Sequence, residues 1–207
     1  MWLAAFSILA ASVIAMTKDN LKARLAYSTI SQLSYITLGV ALASSMGILG
    51  GGLHVVMHAM GKITLFMCAG SIYVATHRTE ISQMTGLGRR MPITFIAFLI
   101  GALSIIGLPP LGGSWSKWLL MVGAVDAEHL FILGVLLVSS LLNVAYLLPL
   151  VAKGFFLSND TDAELAQSAE ASPLVWGPPA ATAFGCVVLF FYAGHIQDFL
   201  MPIVATN

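Results

Sequence analysis

Residues 92–122 read PITFIAFLIGALSIIGLPPLGGSWSKWLLMV, an apolar stretch too long for one straight membrane helix of about 17 to 25 residues. The segment GLPPLGG, from Gly107 to Gly113, lies in its middle. Its two prolines remove backbone N–H donors, and its three glycines loosen the chain. Unwound backbone at membrane depth is tolerated where it is buried in protein or lines a cavity. The sequence therefore predicts a membrane helix that breaks at Gly107–Gly113.

The composition of the whole chain indicates a surface that faces lipid. Of 207 residues, 58% are hydrophobic and only 9% are charged, whereas a soluble domain carries about 25% charged residues. Nine Lys and Arg residues balance nine Asp and Glu residues, so net charge points to no acidic or nucleic-acid partner. Cys68 and Cys186 lie in apolar runs and indicate no disulfide framework. We therefore predict an all-α polytopic integral membrane helix bundle that forms a single transmembrane domain.

Six apolar segments fit membrane spans, although the first is short. They are Trp2–Thr17, Leu25–Ala43, Met46–Ala75, Pro92–Val122, Leu130–Ala152 and Pro179–Leu200, with a cytoplasmic loop over 153–178 that includes the acidic stretch Asp160–Glu170. No basic region precedes Trp2, so we interpret the first segment as a membrane helix and not as a cleaved signal peptide.

The basic residues sort to one side of this predicted bundle. Seven of the nine fall in alternate connections, namely Lys18, Lys22, Arg24, Arg78, Arg89, Arg90 and Lys153. The second and fourth connections contain no Lys or Arg. By the positive-inside rule the basic loops are cytoplasmic and both termini lie outside. Only Lys62 and Lys117 remain within predicted spans.

The third segment carries a polar stripe formed by His54, His58 and Lys62. Residues four apart lie on one helical face, so these three side chains extend along about three turns of an apolar helix. A charged lysine at bilayer depth costs about 3 kcal/mol on insertion scales, so the stripe must face protein or water. Three titratable groups on one face favour a proton path over simple helix contacts. Two histidines could bind a metal, but no carboxylate or cysteine shares the face, and we predict no metal site.

Two further groups of polar residues are candidates. Lys117 follows the predicted break by four residues, where transporters place ion sites. Alternatively, flanking Trp115 and Trp118 would suit a lysine that reaches the headgroups. In the second segment, Ser28, Gln32 and Tyr35 share one face and either join helices or hold water; Ser139, Ser140, Asn143 and Tyr146 of the fifth segment allow the same two interpretations. No phosphate loop, Cys-x-x-Cys pair or carboxylate dyad is present, so we predict no cofactor.

Three ordered motifs within residues 15–156 resemble the antiporter-like subunits that pump protons in respiratory complex I or exchange sodium and protons in multi-subunit antiporters. The first is DNLKARLAYSTISQLSY, residues 19–35, although Ala23 stands where the family usually has a basic residue. The second is the stripe His54, His58 and Lys62, followed by Phe66. The third is GLPP with GSWSK, which ends at Lys117. The details of the third motif favour the antiporter D-type subunit.

The resemblance implies a fold and a set of roles. The chain resembles the second inverted five-helix repeat and the last helix of a fourteen-helix subunit. Lys117 would end a proton relay that His54, His58 and Lys62 connect laterally, with Lys22, Ser28, Gln32 and Tyr35 as a secondary polar path. The family's first repeat has no counterpart here, which predicts a fragment, a split subunit or a degenerate copy that needs a partner with the remaining helices. The expected location is a bacterial inner (plasma) membrane.

Three hypotheses for function follow from these residues. The first is proton or monovalent-cation translocation within a multi-subunit cation/proton antiporter, or alternatively within an NADH-quinone oxidoreductase or related hydrogenase. The second is a structural membrane scaffold derived from such a subunit. The third, a contribution to quinone chemistry, lacks a redox ligand set in the sequence.

Overall fold

The computed structural model describes residues 1–157 and 169–205, and helices make up most of them. Two short 3-10 turns, Ile81–Met84 and Leu87–Arg89, lie in the connection between α3 and α4. The helices are α1 Trp2–Thr17, α2 Leu21–Ala41, α3 Ser45–Thr76, α4 Pro92–Ile106, α5 Gly113–Asp126, α6 Leu130–Phe156 and α7 Pro173–Ala205.

Helix α3 lies at the centre of the bundle, in contact with α2, α4, α5 and α7, while α1 packs on α2 and α6. Large apolar side chains such as Phe6, Leu141 and Phe199 point outward and are exposed. The polar face of α2, by contrast, is buried, with Ser28, Gln32 and Tyr35 inaccessible. This inverted pattern, apolar outside and polar inside, is the one expected where lipid is the solvent.

The predicted break in the fourth segment is confirmed. Helix α4 ends at Ile106, Gly107 adopts the left-handed conformation with φ 92°, and α5 begins at Gly113. A Cβ on Gly113 would lie 1.9 Å from the Ser104 carbonyl oxygen, so only glycine allows the two half-helices to approach this closely. Across the break, the Gly112 N–H donates to the Cys186 carbonyl of α7 at 3.1 Å, and the Pro109–Pro110 bond is cis.

Length and composition alone mark three of the described helices as able to cross a membrane. These are Ser45–Thr76, Leu130–Phe156 and Pro173–Val204. Trp2–Thr17 and Pro92–Ile106 are shorter apolar helices. Helix α2 is not in either group; its share of polar side chains is high because one of its faces lines the interior of the bundle.

Several helices extend beyond the predicted spans. Helix α2 begins at Leu21, before the predicted Leu25, because Asn20 caps it by accepting the Ala23 N–H at 3.0 Å. Helix α6 continues to Phe156. Helix α7 begins at Pro173, before the predicted Pro179, although Pro179 lacks the N–H that would bond to the Val175 carbonyl.

A side chain from α3 compensates for that missing bond. The Ser71 hydroxyl donates to the Val175 carbonyl at 3.0 Å, so the carbonyl that Pro179 leaves free has a partner. The predicted loop over 153–178 is therefore helical at both ends, and residues 158–168 lie outside the described part of the chain.

The three basic connections meet at one end of the bundle. Asn20 pairs with Glu80 in an isolated antiparallel bridge, which joins the α1–α2 and α3–α4 connections. The Gly86 N–H donates to the Lys153 carbonyl at 3.1 Å, and the Arg89 Nε–H donates to the Phe155 carbonyl at 2.8 Å. The end of α6 thus joins the same cluster.

Glu170 differs from its predicted place in a solvated acidic loop. Its carboxylate accepts the Ile93 N–H at 2.9 Å and the Thr94 hydroxyl, at the start of α4. A carboxylate is stabilised there because the first N–H groups of a helix lack partners and carry partial positive charge. Most of the Asp160–Glu170 stretch lies outside the described residues.

Candidate functional site

Four cationic or titratable side chains form a buried row in the middle of the bundle, which we call the buried row: Lys62, His58 and His54 on α3, and Lys117 on α5. Their side chains are 6%, 5%, 2% and 4% exposed, respectively. The two imidazole rings are stacked, with centroids 5.7 Å apart and an interplanar angle of 17°, because the histidines are four residues apart on one helix. The row therefore follows the axis of the central helix before it reaches α5.

Lys117 is held by the broken helix. Its ammonium donates to the Ile106 carbonyl at 3.1 Å and to the Ser140 hydroxyl at 3.2 Å. Ile106 is the last residue of α4, where carbonyls lack intrahelical partners and carry partial negative charge. The break thus provides the neutral acceptors that a buried ammonium needs.

Tyr35 lies between Lys117 and the histidines, and Ser116 contacts His54. The Tyr35 ring stacks on His54 with centroids 5.4 Å apart, and the Lys117 Nζ lies 5.1 Å from the centroid of the same ring. The His54 Nδ1 is 2.8 Å from the Ser116 hydroxyl, and Ser116 is the neighbour of Lys117 in sequence. Helices α2, α3 and α5 therefore each supply a group to this junction.

Lys62 lies in a different environment at the other end of the row. Its ammonium donates to the Leu25 carbonyl at 3.1 Å and to the Ser28 hydroxyl at 2.7 Å. The Ser28 hydroxyl is 2.8 Å from the Tyr146 hydroxyl, which donates to the Asn143 side-chain oxygen. The Gln32 amide donates to that oxygen as well, at 3.3 Å. Lys62 is thus one end of a hydrogen-bonded network between α2, α3 and α6.

Four buried polar atoms in and beside the row have no hydrogen-bond partner in the described part of the protein. They are the Gln32 Oε1, the His54 Nε2, the His58 Nδ1 and the Asn143 Nδ2. Buried polar groups are almost always paired, with protein or with ordered water. Since all four belong to residues of this one region, the arrangement suits water molecules between Lys62 and Lys117.

The row contains no acidic group. Within residues 1–157 and 169–205, no carboxylate is paired with Lys62 or Lys117, and both ammonium groups contact neutral oxygens. Nor does this part of the chain bring three or more His, Cys, Asp or Glu side chains together in a group that could hold a metal ion. The groups of the row that can gain or lose a proton are therefore the two lysines and the two histidines.

Of the residues predicted from sequence, Lys22 lies apart from the others. It is exposed on α2, with its Nζ 5.1 Å from the Tyr73 ring. Lys22 and Ser28 are six residues apart, which on an α-helix turns their side chains about 120° away from each other. The other predicted residues, Ser28, Gln32 and Tyr35, line the row.

From the sequence, Asn143 and Tyr146 allowed two interpretations, helix contacts or bound water, and Ser116 had no role. All three are buried within the network or the junction. The spacing of Ser139, Asn143 and Tyr146 places them on one face of α6, whereas no signal in the sequence pointed to Ser116.

Comparison with known proteins identifies the family. A family model described as the transmembrane part of "NADH:quinone oxidoreductase/Mrp antiporter" proteins matches residues 1–143. The chain belongs to this family. The predicted family and the predicted membrane helix bundle are thereby confirmed, and this family member is an integral membrane protein.

Individual relatives are similar over most of the chain. It is 39% identical to NADH-quinone oxidoreductase subunit N of Desulforudis audaxviator over 154 residues, which cover 74% of this chain and 31% of the relative. It is 31% identical to NADH-quinone oxidoreductase subunit L of Rickettsia bellii over 198 residues, which cover 95% of this chain and 30% of the relative. The chain thus spans about a third of the length of these curated relatives.

Solved structures share the fold of this family member. A chain of the Mrp complex from Dietzia sp. DQ12-45-1b is similar with a TM-score of 0.87 at 22% identity, covering 99% of this chain and 46% of that chain. A chain of respiratory complex I from Thermus thermophilus is similar with a TM-score of 0.85 at 26% identity, covering 98% of this chain and 42% of that chain. Both neighbours are parts of multi-subunit membrane complexes.

Proposed function

We propose that the buried row carries protons through the membrane interior, as part of a membrane subunit of a multi-subunit cation/proton antiporter. The observation that carries this proposal is the alignment of Lys62, His58, His54 and Lys117 along one buried line, with an unpartnered nitrogen on each histidine. Nothing in a purely structural helix contact requires two lysines and two histidines at bilayer depth, where each charge is costly.

The proton steps follow from the donors and acceptors. An imidazole can accept a proton at one nitrogen while it releases one at the other. The two stacked rings do not hydrogen-bond each other, so a water between them would pass the proton along α3. Water bonded to the His58 Nδ1 would connect this ring to the Lys62 side. On the other side, the Ser116 hydroxyl contacts the His54 Nδ1, and water would connect this junction to Lys117. Between transfers the proton is bound to Lys62 or Lys117, at the two ends of the row.

Replacement of Lys117 with Ala tests the proposal in the assembled complex. We expect proton-coupled transport in vesicles to be lost, because the relay would lack its last proton acceptor, while the complex still purifies intact. Lys22→Ala is the matched control, since Lys22 is an exposed lysine outside the row. Unchanged transport in Lys117→Ala would refute the proposal.

A second assembly is favoured by a specific observation. The relatives at 39% and 31% identity carry names of NADH-quinone oxidoreductase subunits. In a complex of that kind the same row would move protons in response to quinone reduction instead of a sodium gradient. Vesicles that contain the native complex distinguish the two: proton movement started by NADH indicates the oxidoreductase, and movement started by a sodium jump indicates the antiporter.

The experiment on the buried row also separates transport from scaffolding. Were Lys117→Ala and His58→Ala both to leave transport unchanged while deletion of the chain dispersed the complex, the protein would be a structural subunit. The proposed partners are other membrane subunits of such an assembly, together with the helices that correspond to the remainder of the longer relatives.

We propose that the basic end of the bundle is cytoplasmic and that both termini lie outside, in a bacterial inner membrane. Support comes from Lys18, Arg89 and Lys153, which belong to connections that meet at this end. The positive-inside rule predicts this orientation. Labelling of single cysteines at Ser82 and Glu128 with a membrane-impermeant maleimide in intact cells tests it; labelling at Ser82 but not at Glu128 would contradict it.

A further inference from the structure

A cavity of about 650 Å³ opens beside the helix break, between α5, α6 and α7. Its walls are apolar and aromatic, and Lys117 and Ser140 provide polar groups within them. Trp118 is 59% exposed and Leu141 is 69% exposed at its mouth, so the cavity opens on the outer, lipid-facing surface of the bundle. Ligand sites of this kind are typically apolar with a few convergent polar groups.

The positive charge of Lys117 at this cavity is not balanced by an anionic side chain among the described residues. The Lys117 ammonium contacts the Ile106 carbonyl, the Ser140 hydroxyl and the face of the Tyr35 ring, all of which are neutral. No carboxylate pairs with it anywhere in the described residues. A buried cation is best satisfied by an anion, because a charge away from water is costly unless it is paired. The complementary ligand is therefore an anion with a long apolar tail.

The depth of Lys117 in the membrane decides between two such anions, a phospholipid phosphate and a carboxylate. Lys117 lies nine residues before the end of α5, which corresponds to about 14 Å below that end. In a hydrocarbon layer of about 30 Å this is near the middle. A phospholipid phosphate stays charged and remains at the surface, whereas a carboxyl group can bind a proton and enter the layer in its neutral form. Transfer of that proton to the neutral Lys117 amine then gives the carboxylate and the ammonium side by side.

We propose that this cavity binds a single-chain fatty acid, with its carboxylate on Lys117 and Ser140 and its alkyl chain between Trp118, Leu141 and Phe190. The Trp115 ring packs on Phe190 with centroids 5.9 Å apart and forms the back of the chain-binding part. This inference does not rest on the proposed transport, because it needs only the cavity and the lysine.

Tryptophan fluorescence tests the proposal in the full chain in lipid nanodiscs. Trp2→Phe and Trp176→Phe leave Trp115 and Trp118 as the remaining two of four tryptophans. A stearate brominated in its chain quenches tryptophan on contact. We expect quenching that saturates with stearate concentration, and a half-saturation concentration that Lys117→Gln raises at least about tenfold.

A second variant keeps the lysine and fills the cavity. Val144→Phe places a larger ring in the wall and should abolish saturable quenching even though Lys117 is present. A phosphatidylglycerol with the same brominated chains should quench without saturation, and equally in both lysine forms. A brominated alkyl trimethylammonium should also quench without saturation, and equally with and without the Lys117→Gln substitution.

Three results would overturn the proposal. Stearate quenching that rises without saturation and ignores both Lys117→Gln and Val144→Phe would mean simple partition into the bilayer. Saturable, Lys117-dependent quenching by phosphatidylglycerol would assign the cavity to phospholipid. Saturable quenching in the isolated chain that disappears in the assembled complex would mean that a neighbouring subunit covers the cavity.

Discussion

Lys62 and Lys117 are both lysines buried at the centre of the bundle, yet they are held in different ways. Lys62 lies on the unbroken helix α3, and Ser28 links it to Tyr146, Asn143 and Gln32 in a network of side chains. Lys117 lies beyond the helix break, on the terminal carbonyl of α4, a single hydroxyl and an aromatic ring.

The difference shows two solutions to the same physical problem. A buried ammonium loses its hydration and must find other acceptors. Around Lys62 the Leu25 carbonyl and the Ser28 hydroxyl of α2 supply them, and Ser28 also contacts α6, so the site depends on the packing of α2, α3 and α6. Around Lys117 the carbonyl that ends α4 and the Ser140 hydroxyl supply them, so the site depends on the break. Changes at the break should therefore affect Lys117 alone, and changes in the network should affect Lys62 alone.

The largest expected effect comes from Gly113→Ala, which should disrupt the helix break that holds Lys117. The added Cβ would lie 1.9 Å from the Ser104 carbonyl oxygen, so α4 and α5 must separate. We expect a loss of at least about 3 kcal/mol in unfolding free energy, or failure to fold, measured by denaturant titration in micelles.

Gly134→Ala is its matched control. Gly134 lies within α6, and a Cβ there meets nothing within 4 Å. Alanine should leave stability unchanged or raise it by up to about 1 kcal/mol, because it favours the helix. Equal stability of the two variants would show that the close approach at the break is not required.

Some features of the molecule could be predicted from the sequence alone, and others could not. The break at Gly107–Gly113 was predictable, because proline and glycine act on their own backbone. The stripe of His54, His58 and Lys62 was predictable, because helical spacing fixes it within one helix. The pairing of Ser28 with Tyr146 was not, because it depends on which faces of α2 and α6 meet.

Two differences between prediction and structure have local physical causes. Lys22 was grouped with Ser28, Gln32 and Tyr35 by its place in a sequence motif, although its helical angle turns it to the surface. The predicted last span began at Pro179, whereas α7 begins at Pro173, because the Ser71 hydroxyl on another helix compensates for the N–H that Pro179 lacks.

The next largest effect is expected from a comparison of Tyr146, which lies near Lys62, with Tyr35, which lies near Lys117. Tyr146→Phe removes the hydroxyl that joins Ser28 and Asn143 and should cost about 1 to 3 kcal/mol. Tyr35→Phe should cost less than Tyr146→Phe, because the Tyr35 hydroxyl donates to the Leu136 carbonyl at a long 3.5 Å and lies near the Ser139 and Ser140 hydroxyls, while its contacts with His54 and Lys117 use the ring.

Chemical denaturation of both variants under one set of conditions checks this pair. Tyr35→Leu should then cost a further 0.5 to 2 kcal/mol, about the range of a cation–π contact, since it removes the ring beneath Lys117. A cost for Tyr35→Phe as large as that for Tyr146→Phe would contradict the assignment of ring and hydroxyl roles.

The smallest effect compares two serines. Ser140→Ala removes one acceptor from Lys117, which keeps the Ile106 carbonyl, and should cost about 0.5 to 1.5 kcal/mol. Ser28→Ala should cost more, because the Ser28 oxygen contacts both Lys62 and Tyr146. Thermal unfolding followed by circular dichroism measures the two side by side, and the reverse order would show that the network does not hold Lys62 more firmly than the break holds Lys117.

The contact between Lys117 and the Ile106 carbonyl also links the charge of the lysine to how tightly α4 and α5 are held together. A cation at the C-terminal end of a helix gains about 0.3 to 1 kcal/mol from the helix dipole. If Lys117 releases its proton in the proposed relay, that attraction disappears and α5 is held less tightly against α4. The packing of the two half-helices would therefore depend on the protonation of Lys117.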